Sequence, residues 1–232
     1  VGPEDFDAKV RDMFTRIAEE WNCPLEVIND GEVTALAGSM ALRKKGESGN
    51  GVLGIAMGTS EGGGYVDMDG NITTWLSELA FAPVDLHPEA PADEWSGDLG
   101  VGAQYFSQQA VARLLPASGI EYDASLSMPE QLKIVQKLME EGDERALRIY
   151  DAIGIYLGYT LAHYAEFYEF EYVLLLGRVT TGPGGEHIIA RSKEVMAAEF
   201  PELAARIKFH FPDETEKRHG QAIAAASLPK IG

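Results

Sequence analysis

The sequence predicts an α/β fold. Short apolar runs of strand length, at residues 25–28, 52–57 and 172–176, stand between longer stretches with apolar residues every three or four positions. Each of the three runs ends in a polar or glycine-bearing turn. Glycine is also abundant, with 25 in 232 residues. That is above the usual level of roughly 7%, so several backbone positions are expected to tolerate no other residue.

The elements follow in order. Phe6, Val10, Met13, Phe14, Ile17 and Trp21 form one helical stripe, with Pro3, Glu4 and Asp5 suited to its start. Pro24 breaks it, and 25–28 reads as a buried strand ended by Asn29, Asp30 and Gly31. Val33, Leu36, Ala37, Met40 and Ala41 give a second helix, closed by Arg43, Lys44 and Lys45, which suit a helix C-terminus. After a polar turn comes a strand at 52–57, then G-T-S-E-G-G-G at 58–64, then a strand at 65–68 leading into the hairpin signal Asp69-Gly70. Residues 83–91 read as loop. Helices are expected at 102–115, at 129–140 with Pro in its first turn, and at 143–167. The last is marked by Ala146, Ile149, Tyr150, Ile153, Leu157, Leu161 and Tyr164. A fully apolar strand at 172–176 closes on Gly177, and T-T-G-P-G-G at 180–185 leads to a helix over 186–199. An edge strand at 207–211 and an alanine-rich helix at 219–228 complete the chain, which has no repeats. Two units are expected: a helix–strand–helix piece at 1–45 carrying Asn29-Asp30, and a larger lobe at 46–232 carrying the glycine loop.

Composition narrows the function. The formal charge is −18, which repels nucleic-acid backbones and speaks against DNA or RNA as partner. No apolar run approaches the ~20 residues needed to cross a bilayer, and the N-terminus has no signal pattern, so a cytoplasmic location without membrane contact is expected. One cysteine, Cys23, allows neither an intrachain disulfide nor a cysteine-rich zinc site. His87, His163, His187, His210 and His219 lack metal-ligand spacing. Asp67 and Asp69 fit a hairpin better than a Mg²⁺ site. Tyr164, Phe167, Tyr168, Phe170 and Tyr172 read as core or as a subunit contact, which leaves a homodimer open.

Ligands of open α/β sheets sit beyond the C-terminal ends of strands. Asn29-Asp30, 58–64 and 177–185 are therefore candidates for one shared cleft. Taken singly, the glycine loops also suit a tight hairpin and a helix cap, and Asn29-Asp30 also suits an N-cap.

In order, these motifs resemble the C-terminal part of a ROK-family sugar kinase, of the actin/hexokinase/heat-shock ATPase superfamily. V-I-N-D-G-E-V-T-A-L-A-G at 27–38 matches that family's Asn-Asp helix. Gly58, Thr59, Gly62, Gly63 and Gly64 match its phosphate loop G-T-G-x-G-G-G, with Ser60 as the exception. Glu78 stands where the family has E-x-G-H, with Phe81 in place of the histidine. Tyr156 to Ala162 matches Y-L-G-x-x-L-A, and 173–179 matches in part the strand entering the adenosine turn, with Leu176 and Arg178 around Gly177. The family's cysteine zinc motif and its D-x-G-x-T phosphate hairpin have no counterpart, and the chain begins about one third of the way into such a kinase.

The resemblance implies an actin-like ATPase (ribonuclease H-like) fold, a mixed sheet flanked by helices. It implies ATP and Mg²⁺ as cofactors, a sugar and a nucleotide as small-molecule partners, and activity when the first phosphate-binding lobe is supplied. Asp30 is the expected catalytic base, since a carboxylate can accept the proton of a sugar hydroxyl attacking phosphorus. Asn29 and Glu78 are expected to bind sugar hydroxyls. Gly58, Thr59, Gly62, Gly63 and Gly177 are expected to hold phosphate and nucleotide, and no residue is assigned to metal. Glu61 brings a negative charge into the phosphate loop and is expected to point away or meet Mg²⁺. The alternatives are a regulatory protein of the same family that binds sugar or nucleotide without transfer, and a nucleotidase-like ATPase of the superfamily.

Overall fold

A computed structural model describes residues 2–73 and 75–228; the side chains of 214–218 also lie outside the description. Helices α1 (Pro3–Lys9), α2 (Met13–Trp21) and α3 (Asp30–Lys44) precede the antiparallel hairpin of β1 (Val52–Met57) and β2 (Glu61–Val66). Helices α4 (Gln108–Ser118), α5 (Met128–Glu140) and α6 (Glu144–Tyr164) lead to β3 (Tyr172–Leu176). Then come α7 (Pro183–Glu199), α8 (Pro201–Arg206), β4 (Lys208–His210) and α9 (Glu214–Ala226). The four-stranded sheet runs β2-β1-β3-β4, with β3 parallel to both β1 and β4. It is thus the mixed sheet with flanking helices expected for the fold.

Strand alternation builds three layers. Leu53, Ile55, Met57, Val173 and Leu175 face one way, into a core shared with α4, α5, α6 and α7. Val52, Val66, Tyr172 and Leu174 face the other way, under α3 and α9. The stripe predicted for α6 is buried along its whole length, and Asp143 caps the helix by accepting from Arg145 N–H at 2.8 Å. At α5, Ser127 and Glu130 form a capping box with Pro in the first turn.

Helix α3 lies unusually close to the sheet. A Cβ on Gly31 would stand 2.0 Å from the Gly63 carbonyl oxygen, and one on Gly64 would stand 2.0 Å from the Gly31 carbonyl oxygen. Glycine at 31, 63 and 64 is therefore what lets the start of α3 rest on β2. Glu32, in the next position, accepts the Tyr65 N–H at 3.1 Å.

Several expectations are corrected. Residues 25–28 form no strand, because no neighbouring strand among the described residues offers them a ladder. The single helix expected to start at Pro3 is two, α1 and α2, with no buried residue in either. Without packing on its stripe, nothing holds one continuous helix straight. The second strand of the hairpin starts at Glu61, not Tyr65, so the glycine loop shrinks to the turn 58–60. The stretch 102–115 opens as a 3₁₀ turn, Gly102–Gln104, before α4 begins. Helix α7 starts three residues earlier than expected, at Pro183.

Other singled-out residues have local structural surroundings. The Asp67 carboxylate accepts from Asp69 and Asn71 N–H groups and closes the hairpin turn. Arg43 reaches Asn50 at 3.0 Å. Tyr164, Phe170 and Tyr172 are buried core, whereas Phe167 is exposed. Cys23 is a free, exposed thiol.

Candidate functional site

Asn29 and Asp30 divide two tasks at the start of α3. The Asn29 side-chain oxygen accepts the Gly31 N–H at 2.8 Å and so provides the N-cap. Its amide NH₂ remains a donor for a ligand. Asp30, the first helical residue, is exposed, and its carboxylate makes no hydrogen bond or ion pair among the described residues. It borders an open groove of about 490 Å³ with Phe14, Ile28, Val33 and Gln221.

The turn 58–60 joins β1 to β2. The Gly58 N–H is used inside the turn, donating to Ser60 O at 3.0 Å, and the Gly58 carbonyl accepts from Gln108 N–H at 2.9 Å. The turn is thereby tied to the start of α4. Thr59 and Ser60 are exposed at its tip. The Gly58 N–H is thus already spent inside the turn, and Thr59 and Ser60 are the exposed residues beside it.

Glu61 points away from the turn, into the core. It is 4% exposed, and neither carboxylate oxygen has a hydrogen-bond partner. Burial pushes its carboxyl well above the ordinary range, because a buried charge without partners is costly. Burial thus favours its neutral form. Burial also raises Glu32, against the lowering effect of hydrogen bonds from Tyr65 and Ser77.

Glu78 sits in the segment packed against β2. A Cβ on Gly63 would stand 2.2 Å from the Ser77 carbonyl oxygen. Asn29-Asp30, Gly63 and Ser77-Glu78 therefore occupy one contiguous neighbourhood. Glu78 itself is exposed and begins the 3₁₀ turn Leu79–Phe81. Gly62 has room, with Ala56 Cβ its nearest neighbour at 3.4 Å.

Gly177 ends β3 with φ +101°, and a Cβ there would stand 2.4 Å from the Met57 carbonyl oxygen. Only glycine allows this approach, and it brings the ends of the parallel strands β1 and β3 together. Gly58 and Gly177 thus sit at the same edge, where ligands of open sheets collect. Gly177 also lines a pocket of about 340 Å³ with Thr34, Ala37, Leu176 and Arg178. Asp30 and Gly177 border different cavities, and Gln221 of α9 lines both while donating to the Thr34 hydroxyl. Gln221 carries no sequence signal, lying in a helix read only as alanine-rich.

No protein-family model matches the chain. A glucokinase of Halalkalibacterium halodurans is 28% identical over 189 residues, which is 78% of this chain and 55% of that protein. The chain thus spans about half the length of this curated relative. The ROK hexokinase of Thermus thermophilus superposes with a TM-score of 0.68 at 18% identity, over 93% of this chain and 68% of that one. This chain has the ROK sugar-kinase fold. A ROK glucokinase of Streptomyces griseus, solved with glucose and AMPPNP, gives 0.66 at 18% identity over 95% of this chain and 72% of that one. A ROK transcriptional regulator, a homologue of the E. coli MLC protein, gives 0.71 at 17% identity over 93% of this chain and 55% of that one. The ROK fold is therefore shared here with kinases and with a regulator, and this chain is a distant glucokinase homologue over most of its length. Among the described residues no helix is long and apolar enough to cross a membrane.

Proposed function

We propose that this chain is the sugar-binding and phosphate-binding part of a ROK-type sugar kinase, acting in the cytoplasm on a hexose or amino-sugar hydroxyl. One observation carries the reading: Asn29 takes over the helix cap and leaves the Asp30 carboxylate without a partner among the described residues, at the start of the helix that rests on the glycines of β2. A sugar hydroxyl is a weak nucleophile. Asp30 Oδ accepts its proton as it attacks, a role worth typically ~10²–10⁴ in rate. The Asn29 NH₂ group and the Glu78 carboxylate hold neighbouring hydroxyls.

The turn fits a phosphate in part. Thr59 and Ser60 face outward, and Gly58, Gly62 and Gly63 keep side chains out of the way. Gly177 and the pocket beside it are the place for the rest of the nucleotide. ATP supplies the phosphoryl group when bound. No group of three or more His, Cys, Asp or Glu among the described residues could hold a metal ion, so Mg²⁺ would enter on the phosphates. Phosphoryl transfer needs the terminal phosphate held from both sides. Thr59 and Ser60 provide one side, and a further phosphate-binding lobe provides the other.

A second reading, binding without transfer, is favoured by two details. The Gly58 N–H is spent inside the turn, and Arg178 follows Gly177 at the mouth of the neighbouring pocket. Sugar-dependent ATP consumption over a panel of hexoses and amino sugars separates the two. The kinase reading expects consumption that Asp30→Asn removes. Saturable sugar binding with no consumption, with or without an added phosphate-binding lobe, favours the regulator.

A further inference from the structure

We propose that Glu61 is a positioning residue for the turn 58–60: with its carboxyl protonated the turn is held, and ionisation of that carboxyl releases it. The proposal rests on the phosphate-binding reading above only in its consequence, since a released turn holds a phosphate less well. Glu61 pairs with Met57 in the last rung of the β1–β2 hairpin and directly follows the exposed Thr59 and Ser60. Its carboxyl nevertheless lies in the core, with neither oxygen hydrogen-bonded.

The backbone around that carboxyl closes back on the same turn. A Cβ on Gly102 would overlap both a Glu61 carboxyl oxygen and the Leu79 carbonyl. The carboxyl therefore fits against the 3₁₀ turn Gly102–Gln104 because residue 102 is glycine. Gly102 N–H donates to Ala82 O at 2.9 Å, and farther along, at the start of α4, Gln108 N–H donates to Gly58 O at 2.9 Å. Glu61, Gly102, Gln108 and Gly58 thus form a circuit of contacts that fixes both ends of the turn.

These surroundings suit an acid and not its anion. The Leu79 carbonyl can face a carboxyl O–H, but it repels a carboxylate. From α6, Tyr164 faces the carboxyl, with Tyr168 beyond it. The cation nearest the 3₁₀ turn in sequence, Arg113 of α4, is engaged elsewhere, over the Tyr105 ring and on Gln104 O. Asp30 and Glu32 of α3, and Glu78, add only negative charge around β2. Among the described residues nothing pairs with an ionised Glu61, and burial favours the neutral form. The ionised side chain has one short way to water. Opening the Met57–Glu61 rung brings it out beside Ser60 and leaves the other rungs intact. The turn then loses its hold, and ordering it again costs binding energy.

Backbone hydrogen exchange of the full chain, read by mass spectrometry from pH 6 to pH 9 and corrected for the intrinsic rate, tests this. Protection of 58–61 should fall by about tenfold per pH unit above the folded-state value, the slope for one coupled proton, while α6 stays protected. By calorimetry, the parent should lose AMPPNP affinity over the same range relative to Glu61→Gln, since the nucleotide's own titration is common to both. Glu61→Gln and Glu61→Leu should keep the turn protected throughout, and Glu32→Gln should keep the parent's pH dependence. Protection of 58–61 that does not change with pH in the parent overturns the proposal. So does an equal fall in both Glu61 variants, or a dependence removed by Glu32→Gln instead. Loss of protection in α6 together with the turn marks global unfolding and also overturns it. If the turn releases in the parent alone while AMPPNP binds at no pH, the role of Glu61 stands and the phosphate-binding reading falls.

Discussion

Asn29 accepts the Gly31 N–H at 2.8 Å, and the adjacent Asp30 carboxylate is left exposed with no partner among the described residues. The two side chains should therefore respond oppositely to substitution. Asn29→Ala should lower stability by about 1 kcal/mol, the usual worth of a lost N-cap. Asp30→Asn should leave the urea midpoint within experimental error. Chemical denaturation of both variants checks this, and equal losses would show that Asp30 shares the cap.

Gly31→Ala tests the contact between α3 and β2. Its Cβ would sit 2.0 Å from the Gly63 carbonyl, so the helix must lift. A loss of about 1–3 kcal/mol is expected, visible as a lowered melting temperature. Sugar affinity should fall with it, because the same lift moves Asp30 and Glu78 apart.

Glu61 makes stability depend on pH. Its folded-state value is raised above the ordinary one near 4.5 by burial. Below that ordinary value both states hold the proton and nothing is lost. As pH rises above it, the unfolded chain releases the proton while the folded one keeps it, so stability falls until the folded carboxyl itself ionises. Glu61→Gln should be more stable than the parent at pH 8, and the gap should narrow towards pH 5. Urea midpoints at both values decide it; a gap that widens in acid would mean that Glu61 is ionised and paired.

Thr59 and Ser60 form the exposed tip of the β1–β2 turn. Replacing Thr59 by Pro removes one N–H and should weaken binding of AMPPNP several-fold, while Gly58→Ala should matter less, since its N–H is already spent. Calorimetric titration of the two variants ranks them, and the reverse order would return the phosphate to Gly58.

Much of this was legible in the sequence. The α6 stripe and the β3 run announced buried elements by period and composition, and both are buried where expected. The order of Asn-Asp helix, glycine turn and apolar strand pointed to the fold now found. The strand expected at 25–28 does not form, because a local apolar run says nothing about whether a ladder partner exists. Gly62 to Gly64 look like turn residues in the sequence, whereas they are strand residues, with Gly63 and Gly64 kept small by α3 and the Ser77–Leu79 segment. The inward turn of Glu61 and the bridging role of Gln221 arise from tertiary placement, which no local pattern encodes.

The most direct measurement is sugar-phosphate formation, counted by mass spectrometry after long incubation of the chain with ATP, Mg²⁺ and each hexose or amino sugar. Even transfer far below the ordinary range of ~1–10³ per second is detectable this way. The expected result is slow formation of a phosphorylated sugar, reduced by a further ~10²-fold or more in Asp30→Asn with folding unchanged. Equal product from the parent and the variant, or none with any sugar even when a phosphate-binding lobe is supplied, would contradict the assignment of Asp30 as the base of a sugar kinase.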